Sequence, residues 1–324
     1  MAKVETVTGA IEVAELGPTL MHEHVFVLSA DHHQNYGPGG YWDEEQQIAD
    51  AVVNLNNLAA RGIKTIVDPT VVGLGRYIPR LKRVAEQVDL NIVVATGLYT
   101  YGDIPFPYVN RGPGTMLEGP EPMVEDFTRD ITEGIAGTGV KAAFLKCAVE
   151  HAAASDGVMR ALRAVAQTHV ATGAPITVHT SAPEETGDLV VRVLQEEGVD
   201  MAKVVIGHAG DSNDLAYLKR LADTGAILGM DRFGIDVFNT TENRVATIAA
   251  LAAEGYADRM VLAHDASCFI DWFGPDPHAL RDMLTPNWHY EHISNDVLPA
   301  LLAAGVTQEQ VDQMMSGNPA RYFS

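Results

Sequence analysis

Two kinds of residue are scarce in this chain. Among 324 residues there are only two cysteines, Cys147 and Cys268. Two cysteines so far apart offer no disulfide framework, so both are read as free thiols in a reducing compartment. Basic residues are the second shortage: 22 Lys and Arg stand against 43 Asp and Glu, a net charge of −21. Such a surface repels nucleic acid and anionic membranes and suits a small neutral substrate better than a polyanion. No apolar run approaches the roughly 18 residues of a membrane span. The first residues, Met1-Ala2-Lys3-Val4-Glu5, alternate polar and apolar and lack a signal-peptide core. A cytoplasmic location is therefore expected. The G-x-G-x-x-G turn that usually opens a doubly wound nucleotide-binding sheet is missing after the first strand-like run. No low-complexity segment or domain boundary stands out, so residues 1–324 are read as a single domain.

What is present is a rhythm of helix, glycine and strand. Ile48, Val52, Leu55 and Leu58 share a helical face, and Gly62 precedes the run Ile63 to Asp68. Leu162, Val165, Ala166 and Val170 likewise precede Gly173 and a run to His179. The pattern recurs before Gly198, Gly225 and Gly255. Apolar residues three and four apart mark amphipathic helices, and glycine just past a helix end is the expected left-handed cap. The short, nearly continuous apolar runs suit parallel strands buried on both faces. Their ends fall at His24, Asp68, Thr96, Lys146, His179, His208, Asp231 and Asp265. Eight such units predict an α/β fold, a (β/α)8 TIM barrel whose functional site lies at the C-terminal ends of the strands. Two connections are long and aromatic. Tyr99 to Met123 carries Tyr101, Phe106 and Tyr108, and Ala266 to Tyr290 carries Phe269, Trp272, Phe273 and Trp288. Both follow strand ends and are expected to cover the barrel mouth as a substrate pocket or lid.

Five of these strand ends offer groups that bind metals. His22 and His24 are two apart, so a strand puts both on one face with Glu23 opposite. His179, His208 and Asp265 complete a set of four imidazoles and a carboxylate, suited to zinc, cobalt, iron or manganese. His264, next to Asp265, should face away and is read as structural. Asp68 and Asp231 are expected to support the ligands from behind. The remaining histidines, His32, His33, His151, His169, His278, His289 and His292, are read as solvated or packing residues. Lys146 is the least expected member. A lysine in an apolar strand must pair, snorkel or lose its charge. Either it meets a nearby carboxylate, or its amine reacts with carbon dioxide to give a carbamate able to bridge two cations.

His22-Glu23-His24, Phe144-Leu145-Lys146-Cys147, Val178-His179-Thr180, Ile206-Gly207-His208 and His264-Asp265 together resemble the phosphotriesterase family of the amidohydrolase superfamily. The likeness runs from Gly17 to the tail Asn318-Pro319-Ala320-Arg321. Thr96-Gly97-Leu98-Tyr99, Gly229-Met230-Asp231-Arg232-Phe233-Gly234 and Phe269-Ile270-Asp271-Trp272 look like its phosphotriesterase-like lactonase group. The resemblance implies two divalent metal ions. His22, His24 and Asp265 would hold the more buried one and His179 and His208 the more exposed, with carboxylated Lys146 bridging both. It implies a homodimeric hydrolase that opens lactones, N-acyl homoserine lactones above all, in the manner of quorum quenching, with weaker phosphotriesterase activity. Asp265 would move the proton, and Tyr99 and Arg232 would contact or orient the reacting region. Tyr101, Ile270 and Trp272 would line the pocket. A dedicated phosphotriester hydrolase is the alternative. A nuclease or deaminase of the same superfamily and a non-catalytic metal-binding barrel fit less well, the nuclease because of the charge.

Overall fold

The computed structural model describes residues 2–37, 42–273 and 277–324, and the side chain of His278 lies outside the described residues. The strands are β1 Lys3–Thr6, β2 Gly9–Glu12, β3 Thr19–Leu20, β4 His24–Val27, β5 Thr65–Asp68, β6 Asn91–Gly97, β7 Phe144–Val149, β8 Ile176–Thr180, β9 Val204–Gly207, β10 Ile227–Met230, β11 Met260–Leu262 and β12 Ser267–Ile270. Eight of them form one sheet in the order β3-β5-β6-β7-β8-β9-β10-β11. Neighbours are parallel, with Val67 opposite Val93, Ala95 opposite Phe144 and Val178 opposite Ile206. The sheet closes where the Met21 N–H donates to the Leu262 carbonyl at 3.2 Å. The expected (β/α)8 barrel is the observed fold.

Period-two alternation divides the strand residues between two cores. Ile66, Ile92, Val94, Leu145, Ile176, Val178, Ile206 and Leu228 pack outward in one cluster with helix residues such as Leu55, Leu58, Leu162, Leu194 and Leu218. Val67, Val93, Ala95, Phe144, Val205, Ile227 and Val261 form a second cluster with Val4, Val13, Leu16, Tyr322 and Phe323. This inner cluster fills the barrel from below. The β1–β2 hairpin and the C-terminal helix Asn318–Phe323 act as its stopper. With the lower end sealed by apolar side chains and the Thr177–Tyr322 hydroxyl pair, the inward-facing histidines, Lys146 and Asp265 lie toward the C-terminal ends of the strands.

The glycines act much as expected. Gly173 caps the helix Asp156–Thr172 directly, at φ 76°, with its N–H donating to the His169 carbonyl at 2.7 Å. Val170 departs from expectation. It is 59% exposed, because Thr168 and His169 take the inner face at that turn. Val52 is only half-buried, with Ala51 occupying the inward position. Among the described residues no helix is long and apolar enough to cross a membrane.

The strand ends need three corrections. Lys146 does not end its strand, because β7 continues to Val149. The first barrel strand is not continuous through the histidines: β3 stops at Leu20 and β4 begins at His24. The eighth breaks at the same level, between Leu262 and Ser267, and the segments beyond the breaks, β4 and β12, pair in parallel. The bond from the Asp265 N–H to the His22 carbonyl, 3.0 Å, and that from the His24 N–H to the Ala266 carbonyl, 2.8 Å, bridge the gap. The connection after Asp265 is therefore no simple loop; it contains a strand and the helix Pro277–Leu284.

Candidate metal centre

The interrupted rim brings the expected ligands together. His22 Nε2 and His24 Nε2 lie 3.4 and 3.3 Å from Asp265 Oδ1. These three form a group with ligand atoms close enough to share one ion. His179 Nδ1 and His208 Nε2 lie 2.9 Å apart, and His208 Nε2 is 3.9 Å from Asp265 Oδ2. Lys146 lies buried among the same cavity-lining residues, and its Nζ has no hydrogen-bond partner.

Three of the four rings, those of His22, His24 and His208, are oriented from behind. Asp231 reaches both His22 Nδ1, at 3.2 Å from Oδ2, and His208 Nδ1, at 2.9 Å from Oδ1, and also accepts the His208 N–H at 2.8 Å. His22, His208 and Asp231 are themselves close enough to hold an ion. Asp231, however, engages the Nδ1 of both rings and leaves both Nε2 atoms turned toward Asp265, which is the arrangement of a carboxylate orienting the rings. Asp231 can approach because residue 229 is glycine: a Cβ there would lie 2.4 Å from Asp231 Oδ2. His24 Nδ1 meets Thr70 Oγ1 at 2.7 Å, and Thr70 is tied to Asp68 in turn. Glu23 points the opposite way, as the alternation requires. Its Oε1 meets the N–H and Nδ1 of His264 at 2.8 and 2.6 Å, and its Oε2 accepts from the Ala266 N–H at 3.0 Å. Glu23 thus brackets Asp265, whose φ of 55° is a left-handed conformation unusual outside glycine.

Burial and charge set the protonation states. Burial alone would raise the Asp265 pKa, but His22, His24, His208 and Arg232 outweigh it and hold it well below the usual carboxylate range. Burial lowers His179 to about 4, helped by Arg232 and Lys146, and pushes His208 well below its ordinary value. Burial would also lower His24, yet Asp265 and Asp68 raise it to about 9. The Lys146 amine is lowered to about 8, chiefly by burial. Arg232 donates from Nε to Asp265 Oδ2 at 3.1 Å and from Nη1 to Asp211 Oδ2 at 3.0 Å. Asp211 also accepts from the buried Arg244 at 2.6 Å, so Arg232 is held at both ends of its guanidinium.

These groups floor a cavity of about 470 Å³. Tyr99, Tyr101, Arg232, Ile270 and Trp272, all anticipated, line it. Tyr99 and Tyr101 are joined through their hydroxyls, and both rings lie against His179. Val27, Leu74, Ile235, Phe273 and Trp288 supply apolar wall, interrupted by Thr180, Ser181, Ser267 and Thr285, and at the lip Phe238 and Trp272 are more than half exposed. Two charged lining residues had not been anticipated, Glu150 and Asp211, whereas Trp288 belongs to the aromatic connection expected to cover the mouth. Glu150 was legible in principle. It is four residues beyond Lys146, on the same face if the strand's alternation is carried past the lysine. Cys147, by contrast, faces outward into the helix layer, and neither cysteine belongs to the site.

The model of the phosphotriesterase family matches residues 2–323. A phosphotriesterase homology protein of Mycobacterium tuberculosis is 52% identical over 323 residues, covering 100% of this chain and 98% of the relative. An aryldialkylphosphatase of Saccharolobus solfataricus is 37% identical over 315 residues, covering 97% of each. The solved structure of the phosphotriesterase from Mycobacterium tuberculosis superimposes with a TM-score of 0.96 at 52% identity, over 99% of this chain and 98% of that one.

Proposed function

The chain belongs to the phosphotriesterase family, and from that premise we propose a binuclear-metal hydrolase that opens lactone rings. N-acyl homoserine lactones are the preferred substrates in this reading, with phosphotriester cleavage as a weaker activity. One observation carries the choice: the polar floor opens beside apolar lining that includes the buried Ile270, Phe273, and the exposed Trp272 and Phe238. That shape suits a polar ring joined to an acyl chain, with the carbonyl at the floor and the chain along the wall.

The residues present fit a pair of cations. The orphaned Nζ of Lys146 is buried with no partner, a costly state for an amine. Reaction with carbon dioxide forms an N–C bond, releases a proton and replaces the amine with a two-oxygen anion. His22, His24 and Asp265 would hold one cation and His179 and His208 the other, with carboxylated Lys146 shared between them. Divalent cations, when bound, polarise a carbonyl or phosphoryl oxygen and lower the pKa of water towards neutrality. Asp265, ionised at rest, takes the proton from the attacking water and returns it to the leaving alkoxide oxygen. Arg232 holds Asp265 in place and keeps it charged. Burial raises the Tyr99 pKa, so its hydroxyl remains a donor for the lactone oxygens.

Dedicated phosphotriester hydrolysis is the second reading, favoured by the name of the aryldialkylphosphatase relative. The test is turnover by metal-reconstituted protein on a lactone panel of graded acyl length beside a phosphotriester panel. Lactones are expected to give the higher kcat/KM, rising with chain length. Efficient triester hydrolysis with no lactone opening would overturn the first reading.

A further inference from the structure

Glu150 sits at the upper end of β7's face, beyond the expected ligands, and is partly exposed to the cavity. Its Oε2 lies 2.6 Å from His179 Nε2. A carboxylate at that distance only accepts, so Nε2 carries the proton and His179 Nδ1 keeps a lone pair. The same reasoning applies to His208. Asp231 accepts from its Nδ1–H, leaving a lone pair on Nε2. The two lone pairs then face each other across 2.9 Å. Two acceptors so close repel unless a cation lies near both, so the two carboxylates together prepare an acceptor pair. Tyr101 adds its hydroxyl 3.2 Å from the same His179 Nε2. Asp231 is buried at the strand end, but Glu150 reaches His179 from the substrate side of the cavity.

We propose that Glu150 is a positioning residue that fixes the Nε2–H tautomer of His179 and thereby aims Nδ1 at the second cation. The inference rests on the metal-centre reading above. It adds that this half of the centre depends on a carboxylate at the cavity wall, while the His22, His24 and Asp265 half does not. Loss of a carboxylate behind a metal-binding histidine typically weakens metal affinity roughly 10- to 100-fold.

The test is chelator competition with Zn(II) on the full-length wild type, Glu150→Gln, Glu150→Ala and Glu184→Ala. Glu184 anchors the same loop by accepting from the Ala152 N–H at 2.7 Å and meeting His151 at 3.1 Å, away from the ligands, so it controls for loop damage. The expected result is a second Zn(II) bound roughly 10- to 100-fold more weakly in Glu150→Ala, with the first unchanged. Glu150→Gln should fall between wild type and Glu150→Ala, because an amide can present either its oxygen or its NH2 group. Glu184→Ala should match the wild type. Nitrogen-15 spectra of the metal-free protein should show His179 as the Nε2–H tautomer in the wild type and as a mixture in Glu150→Ala. A second-site affinity within twofold of wild type in Glu150→Ala, an equal loss in Glu184→Ala, or an unchanged tautomer would each overturn the proposal. A wild type that binds fewer than two Zn(II) ions would instead overturn the metal-centre reading, and the tautomer result would still stand as a separate measurement.

Discussion

In β7, Phe144 packs beside Phe323 at the lower end of the barrel, and two residues on Lys146 faces the ligand cluster at the upper end. In β8 the same step leads from Thr177, 3.0 Å from the Tyr322 hydroxyl, to His179. Within one strand, one alternation step on the inner face separates a residue that seals the barrel from one that equips it. The lower end is largely apolar, and the hydroxyls of Thr177 and Tyr322 buried in it pair with each other. The upper end concentrates buried charge, an amine without a partner and left-handed residues at His208 and Asp265. Such strain and unpaired polarity persist where the surrounding structure enforces them, and they cluster at functional sites. The difference teaches that the lower end stabilises the barrel and the upper end spends some of that stability on chemistry.

Four experiments can break or sharpen this contrast. The largest effect is expected from Lys146→Ala, which should lose both bound metals and all turnover above background while the metal-free barrel still folds. Retention of two metals per chain, by elemental analysis, would remove Lys146 from the bridge. Asp265→Asn should lower kcat by about 10²- to 10⁴-fold, the usual contribution of a positioned acid or base. Near-normal rates would take Asp265 out of the proton transfer. Phe144→Ala, at the sealed end, should cost about 3–5 kcal/mol of stability in denaturant titrations, with little change in turnover per folded molecule. A kcat loss as large as that of Asp265→Asn would show that the two ends are not separable.

The smallest effect concerns pH. Burial lowers the Lys146 amine from its ordinary 10.5 to about 8. The neutral amine, the form that attacks carbon dioxide, is the minority below that value and the majority above it. At fixed dissolved carbon dioxide, reconstitution of metal-free protein should therefore speed up about tenfold between pH 7 and 9. A rate flat across that range would argue against the carbamate.

Much of the upper end was legible because its chemistry is local in the chain. His22 and His24 share a face by period two, and Glu23 takes the other, as its bonds to His264 and Ala266 show. His179 and His208 follow apolar runs long enough to identify as strands. The lower end was less legible. Val4, Val13, Tyr322 and Phe323 come from the two termini, and nothing local says that they meet inside the barrel. Glu150 was missed because β7 was expected to stop at Lys146. A lysine looks like a strand end to a hydropathy pattern, yet the backbone ladder to β8 continues through Val149 opposite Thr180.

The sequence by itself determined the architecture and the candidate ligand types, since alternation and helix periodicity are short-range properties that the chain carries everywhere. Tertiary structure alone decided how those ligands are held. Barrel closure breaks the first and eighth strands at one level, sets Glu23 around Asp265, and brings Asp231 behind two histidines 209 and 23 residues away. It also places Glu150 against His179. These pairings depend on which strands become neighbours when the sheet closes, a long-range outcome that no local pattern encodes.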